Sequence, residues 1–197
     1  MTSTARIPAT EVTGLYGGLV KWFTRKMFGK VPDSVGVMWH HPDAFKAISG
    51  LGAKSRKWDE LDADLKSYAH MAVASLIGCT FCLDFGYFQA HNEGLDVDKA
   101  REVPRWRESD VFTPLERRVM EYAEAMSQTP PAVTDEMSAA LLEELGAPAL
   151  VELTARIGMM NMTARGNVAL GIRSQEFSAS CGLPPLAAPS ADGVASA

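Results

Sequence analysis

The chain has 197 residues, of which 47% are hydrophobic and 22% charged, and its formal net charge is −5. That balance suits one globular domain with an ordinary core, offers nucleic acid no basic footprint and disfavours binding to an anionic membrane surface. No stretch approaches the roughly 20 apolar residues a membrane span needs, and the N-terminus lacks the basic-then-apolar pattern of a secretion signal, so a cytoplasmic location is expected.

In chain order the signals are those of helices, with no convincing run of alternating Val, Ile and Thr bounded by turns, and the expected fold is all-α. "VTGLYGGLVKWFTRKMFG" and "PDSVGVMWHHPDAFKAIS" carry weak helical patterns, the second punctuated by Pro42. "DELDADLKSYAHMAVASLIG" reads as a helix stopped by Gly78, and the segment after it as another that ends at Gly94. The stretch from Arg101 to Asp110 is polar and loop-like. "TPLERRVMEYAEAM" starts with Thr113 as cap, Pro114 at the first helical position and Glu116 completing a capping box, and Leu115, Val119, Met120 and Tyr122 mark its apolar face. Thr134 caps "TDEMSAALLEEL", which Gly146 closes; Pro148 then opens a helix whose apolar residues go nearly all round, as in a central buried helix. The expected organisation is an N-terminal helical extension over 1–35, a main domain over 36–177 and a flexible tail over 178–197.

The chemistry concentrates in Cys79-Thr80-Phe81-Cys82. Directly after the helix breaker Gly78, the pair falls at a helix N-terminus, where unpaired N–H groups and the helix dipole favour a thiolate. Three readings stay open on spacing alone: a redox pair, half of a metal site, or two small buried residues. Zinc would need four ligands, and no second CxxC or His-x3-5-His pair supplies them, although His70, His91 or Cys181 could contribute. No cofactor is called for. His40 and His41 stand at a helix boundary and suit cap or surface roles. Asn161, Arg165 and Asn167 interrupt the apolar helix; buried, they need partners such as an inter-subunit network, and a helix facing solvent on one side explains them equally well.

The order "HHPDAFKAISGLG", "LDADLKSYAHMAVASLIGCTFCLDFGYFQAHNEGL" and then "FTPLERRVMEYAEAM" through "MTARGNVALGI" resembles the carboxymuconolactone decarboxylase superfamily, in its alkylhydroperoxidase D (AhpD)-like branch. The resemblance covers about His40 to Ile172. It implies an all-α, AhpD-like fold forming trimers or hexamers, with hydroperoxides as substrate and a protein dithiol as reductant. Carried over, Cys82 matches the sulfur that attacks peroxide and Cys79 the resolving sulfur. The family's proton relay has a glutamate twelve residues before the first cysteine, a histidine between the two, and a histidine four after the second. Ser67, Phe81 and Gly86 stand there instead, and none can accept a proton at neutral pH. His70, one turn after Ser67, is the expected substitute, with Asp84 and Glu93 as weaker ones. The alternatives are a decarboxylase-like lyase acting on a small acid and a non-catalytic or metal-binding oligomer.

Overall fold

Helix boundaries follow the local signals of the chain closely. The computed structural model describes residues 5–188, and among them are helices and turns and no strand. Helix α1 spans Gly14–Phe28, α2 Asp33–Met38 and α3 Pro42–Ser55. His41 caps α3, its Nδ1 accepting the Ala44 N–H at 3.2 Å. Helix α4, Ala63–Ile77, starts at Asp62, whose carboxylate accepts the Asp64 N–H, and stops at Gly78, where φ is 75°. Only glycine takes that left-handed conformation without steric cost, so the chain can turn at once into α5, Thr80–Asn92. Then come α6, Val97–Ala100, a 3-10 turn at Val103–Arg105, and α7, Pro114–Ser127, which opens with the expected capping box. Helix α8 runs over Asp135–Leu170 and α9 over Phe177–Ser180. Gly146 (φ 78°, ψ 164°) breaks α8 where the sequence places one helix end and the next start.

Helix α4 is the centre of the molecule and packs against α5, α7 and α8. Its small residues Ala69, Ala72 and Ala74 are buried and let neighbouring helices approach closely. On one side Val73 packs with Val119, Leu153 and Ile157 of α7 and α8. On the other, Tyr68 and Met71 pack with Tyr87, Val103 and Trp106.

Two expectations are corrected by this packing. The polar stretch from Arg101 to Asp110 is not an open loop, because Val103 and Trp106 are buried and the Trp106 indole N–H donates to Glu124 at 2.9 Å. The second part of α8 is not covered all round: Leu153, Ile157 and Ala164 are buried, while Val151 is 68% exposed and Met162 also faces outward. Between residues 183 and 187 the chain contacts the body of the molecule. Tyr87 donates its hydroxyl to the Pro184 carbonyl at 3.2 Å, the Ala187 N–H bonds the Arg101 carbonyl at 2.9 Å, and Leu183 and Leu186 pack on the core. The end of the expected tail, 189–197, lies outside the described residues.

The N-terminal segment is latched to the far end of α8 by Arg6, whose N–H donates to the Leu170 carbonyl at 2.8 Å and whose guanidinium donates to that of Ala169 at 2.6 Å. Phe28 then seats the end of α1 among Phe85, Phe88 and Phe177.

Candidate functional site

Cys79 is the N-cap residue of α5 and Cys82 lies in its first turn. Their Cα atoms are 5.3 Å apart, and the two sulfurs are joined in a disulfide. The Cys82 N–H points at Cys79 Sγ, 3.2 Å away, so the cap position offers a sulfur one of the free amides of the helix start. Both cysteines are buried, but only Cys82 opens onto a cavity of about 280 Å³.

Helices α3, α4, α5 and α8 build that cavity, and their sequence spacing explains which side chains face it. From α5 come Cys82, Gly86, Gln89 and Glu93, at helical spacing along one face. Arg156, Met160, Thr163 and Asn167 form the matching stripe of α8. Lys66, Ser67 and His70 enter from α4, and Ile48 and Gly52 from α3.

Asn167 touches the sulfur directly, its side-chain N–H donating to Cys82 Sγ at 3.3 Å. Among the described residues no ionisable side chain is hydrogen-bonded to either sulfur. The sequence shows Asn167 only as a polar interruption of an apolar helix. The other two interruptions are also satisfied within the chain: Asn161 donates to the Ser127 hydroxyl at 2.8 Å, and Arg165 donates to the Ser127 carbonyl.

His70 reaches the cysteine segment at the backbone and not at the sulfur. Its Nε2–H donates to the Cys82 carbonyl at 3.3 Å, leaving Nδ1 as the acceptor of the neutral ring. Burial pushes its pKa down to about 4; the bond to Cys82 works against that, and the positive charge of Arg156 adds to it. The ring is therefore neutral at pH 7. It occupies space that only a glycine at position 86 leaves free, since a Cβ there would lie 2.8 Å from His70 Cδ2 and 3.0 Å from Nε2. The imidazole thus comes from α4 and lies against the α5 position where the resemblance expects a histidine. Gly86→Ala is expected to push His70 off the Cys82 carbonyl and to cost about 1–3 kcal/mol of stability, read as a lower urea midpoint.

The remaining candidates have other roles. Ser67 lines the cavity, and Phe81 stacks on Phe85 with ring centroids 5.9 Å apart. Asp84 faces away and accepts four hydrogen bonds: from the Ser174 and Ser178 hydroxyls at 2.7 and 2.6 Å, and from the Phe177 and Ser178 amides, both at 3.0 Å. Burial alone would raise its pKa, but these donors outweigh burial and hold the carboxyl below its ordinary range. Glu93 lines the cavity from the end of α5. Cys181 is exposed and unpaired. Among the described residues no three His, Cys, Asp or Glu side chains stand together as a metal ion would require. Nor is any helix among them long and apolar enough to cross a membrane.

The carboxymuconolactone decarboxylase family model matches residues 42–125, which hold α3 through most of α7 and both cysteines. The uncharacterized protein YnjA of Escherichia coli (strain K12) is 36% identical over 155 residues, covering 78% of this chain and 85% of YnjA. The chain belongs to the carboxymuconolactone decarboxylase family. Its fold within that family is AhpD-like. It is similar to the debrominase Bmp8, solved as a cysteine-to-alanine variant in complex with 2,3,4-tribromopyrrole, with a TM-score of 0.76 at 20% identity over 92% of this chain and 97% of that one. It is also similar to the alkylhydroperoxidase AhpD core of an uncharacterized peroxidase-related protein from Ralstonia eutropha JMP134. There the TM-score is 0.75 at 18% identity, over 90% of this chain and 96% of the other.

Proposed function

We propose that this member of the family is a thiol-dependent hydroperoxidase in which Cys82 attacks and Cys79 resolves. The observation that carries the reading is the joined pair at the start of α5 with Cys82, and not Cys79, open to the cavity. The Cys82 thiolate attacks the terminal oxygen of a hydroperoxide; the O–O bond breaks, the alkoxide takes a proton and leaves as an alcohol, and Cys82 becomes a sulfenic acid. Cys79 then attacks that sulfur and expels water, closing the disulfide. A protein dithiol returns the two electrons, which calls for a reducing compartment such as the cytoplasm.

No side chain of the missing relay is needed to hold the thiolate under this reading. The helix start supplies the positive end of its dipole, and Asn167 donates to the sulfur. His70, neutral and bonded to the Cys82 carbonyl, acts as a positioning residue for the helix turn that carries the nucleophile. Asn167→Ala is expected to raise the Cys82 thiol pKa and to slow peroxide-driven thiol loss at pH 7 by about tenfold, since a hydrogen bond to a charged group contributes about 1.5 kcal/mol or more. The rate gap narrows at pH 9, where both proteins are ionised; a gap independent of pH counts against this role.

The homo-oligomer belongs to the same proposal. Leu15 of α1 is 98% exposed and Val151 of α8 68%, with Trp22 and Met162 also outward, and such apolar faces suit association of copies. A second reading, reductive dehalogenation, follows from the similarity to Bmp8. The same dithiol would replace the halogen by hydrogen: the carbon takes two electrons and one proton, halide and the second proton leave, and the two sulfurs join as the disulfide. Scoring halide release from a bromopyrrole against loss of a hydroperoxide separates the two.

A further inference from the structure

The cavity holds one inner-wall cation with no carboxylate in ion-pair contact. Arg156 is half-buried on the α8 stripe, and its only hydrogen bonds among the described residues run from one nitrogen to the Ser55 carbonyl at 3.3 Å and the Ser55 hydroxyl at 3.5 Å. No described acid lies within ion-pair distance of it. Lys66, the other cation on the inner wall, is committed to Glu152 at 2.7 Å, and Glu152 also accepts the Glu60 and Leu61 amides. At the rim stand the exposed Arg56 and the exposed Glu93. With His70 neutral, Lys66, Arg156 and Arg56 stand against Glu152 and Glu93, which leaves one positive charge in excess, and Arg156 is the inner-wall cation without a contact ion pair. Burial disfavours that charge most; Glu152 and Glu93 favour it from beyond ion-pair distance and Arg56 opposes it, so the guanidinium is desolvated without a carboxylate in direct contact. Ile48, Phe81, Phe85, Met159 and Met160 supply apolar wall, with the neutral polar side chains of Ser67, Gln89, Thr163 and Asn167 between them.

An unpaired guanidinium at one side of an apolar chamber that opens on a sulfur is the arrangement that holds an organic acid. We propose that Arg156 binds the carboxylate of the substrate, so that the molecule reduced at Cys82 is an amphiphilic monoanion, an acid bearing its reactive group on an apolar body. The planar fork of Arg156 can take a carboxylate with two parallel N–H donors, and a single excess charge matches one carboxylate better than a dianion. This inference rests on the reading of the cavity as the substrate site.

The test uses calorimetric binding to the disulfide form of the whole chain, which performs no thiol chemistry. Hexanoate is expected to bind about tenfold more tightly than hexanamide, which is nearly isosteric and uncharged. Arg156→Gln should erase the preference and Arg156→Lys should keep part of it, with hexanamide affinity unchanged in both. Equal binding of the two ligands to the parent, no binding of hexanoate, or a preference that survives in Arg156→Gln overturns the inference. The parent comparison decides even if a variant misfolds. Hydroperoxide-driven thiol loss is scored separately: if it proceeds while hexanoate shows no preference, only the carboxylate assignment falls, and if thiols stay inert while the preference holds, only the peroxidase reading falls.

Discussion

Cys82→Ser will not consume hydroperoxide, whereas Cys79→Ser will consume one equivalent and stop. The asymmetry follows from where the two sulfurs stand. Cys82 lines the cavity and receives the Asn167 N–H, so in the proposed reaction its thiolate meets the substrate and is stabilised there. Cys79 is buried at the helix cap and has no face on the cavity. Removing the nucleophile should cost about 10³-fold or more in rate, as losses of attacking groups do. In Cys79→Ser the sulfenic acid on Cys82 has no thiol to condense with and persists. Dimedone labelling followed by peptide mass analysis should place the adduct on Cys82 in that variant and find none in Cys82→Ser. An adduct on Cys79 in Cys82→Ser would reverse the assignment of roles.

Asp84→Ala is expected to cost about 3 kcal/mol of folding stability, because two hydroxyls and two amides of the segment from Ser174 to Ser178 lose a charged acceptor at once. Asp84→Asn should lose less, since it keeps an acceptor oxygen. The same site sets part of the pH dependence. Asp84 titrates lower in the folded state than in the unfolded one, so its contribution is complete above the ordinary carboxylate value of about 4 and is lost as pH falls through the lower folded value. His70 acts earlier in an acid titration. Its folded pKa of about 4 lies below the ordinary value of 6.5, so the unfolded chain takes up a proton that the folded chain refuses, and stability declines between pH 6.5 and 4. Urea midpoints measured against pH should fall first across the histidine window and then again below pH 4. His70→Phe, if it folds, should flatten the first decline, and Asp84→Asn should weaken the second.

These two carboxylate and imidazole roles mark the boundary of what the chain discloses locally. The turn at Gly78, the capping box of Thr113 and Glu116, and the place of the cysteines at a helix start depend on residues within four positions of each other, and all were legible. Asn167 is 85 residues from Cys82, and its bond to the sulfur depends on how α8 crosses α5, which no local pattern encodes. Asp84 looks like a spare base by sequence distance, yet its partners lie 90 to 94 residues away and use all its acceptor strength for structure. Arg156 carried a signal that was missed: with Met160, Thr163 and Asn167 it recurs on one face of a helix read as apolar nearly all round. The nearly all-round apolar pattern of the same helix misled in the other direction, since Val151 and Met162 remain uncovered within the chain. His70 combined both lessons. Its helix was readable, but its contact with Cys82 depends on an absent side chain, the one Gly86 lacks.

The central claim is that Cys79 and Cys82 work as one redox pair driven by hydroperoxide. The most direct test reduces the protein fully, adds one equivalent of cumene hydroperoxide, and follows free thiols and intact mass together. The account predicts loss of both thiols of the pair, retention of the Cys181 thiol, a mass lower by two hydrogens, and a Cys79–Cys82 disulfide peptide on digestion. Thiols that remain titratable while the hydroperoxide is untouched, or that are lost without the disulfide peptide, would contradict it.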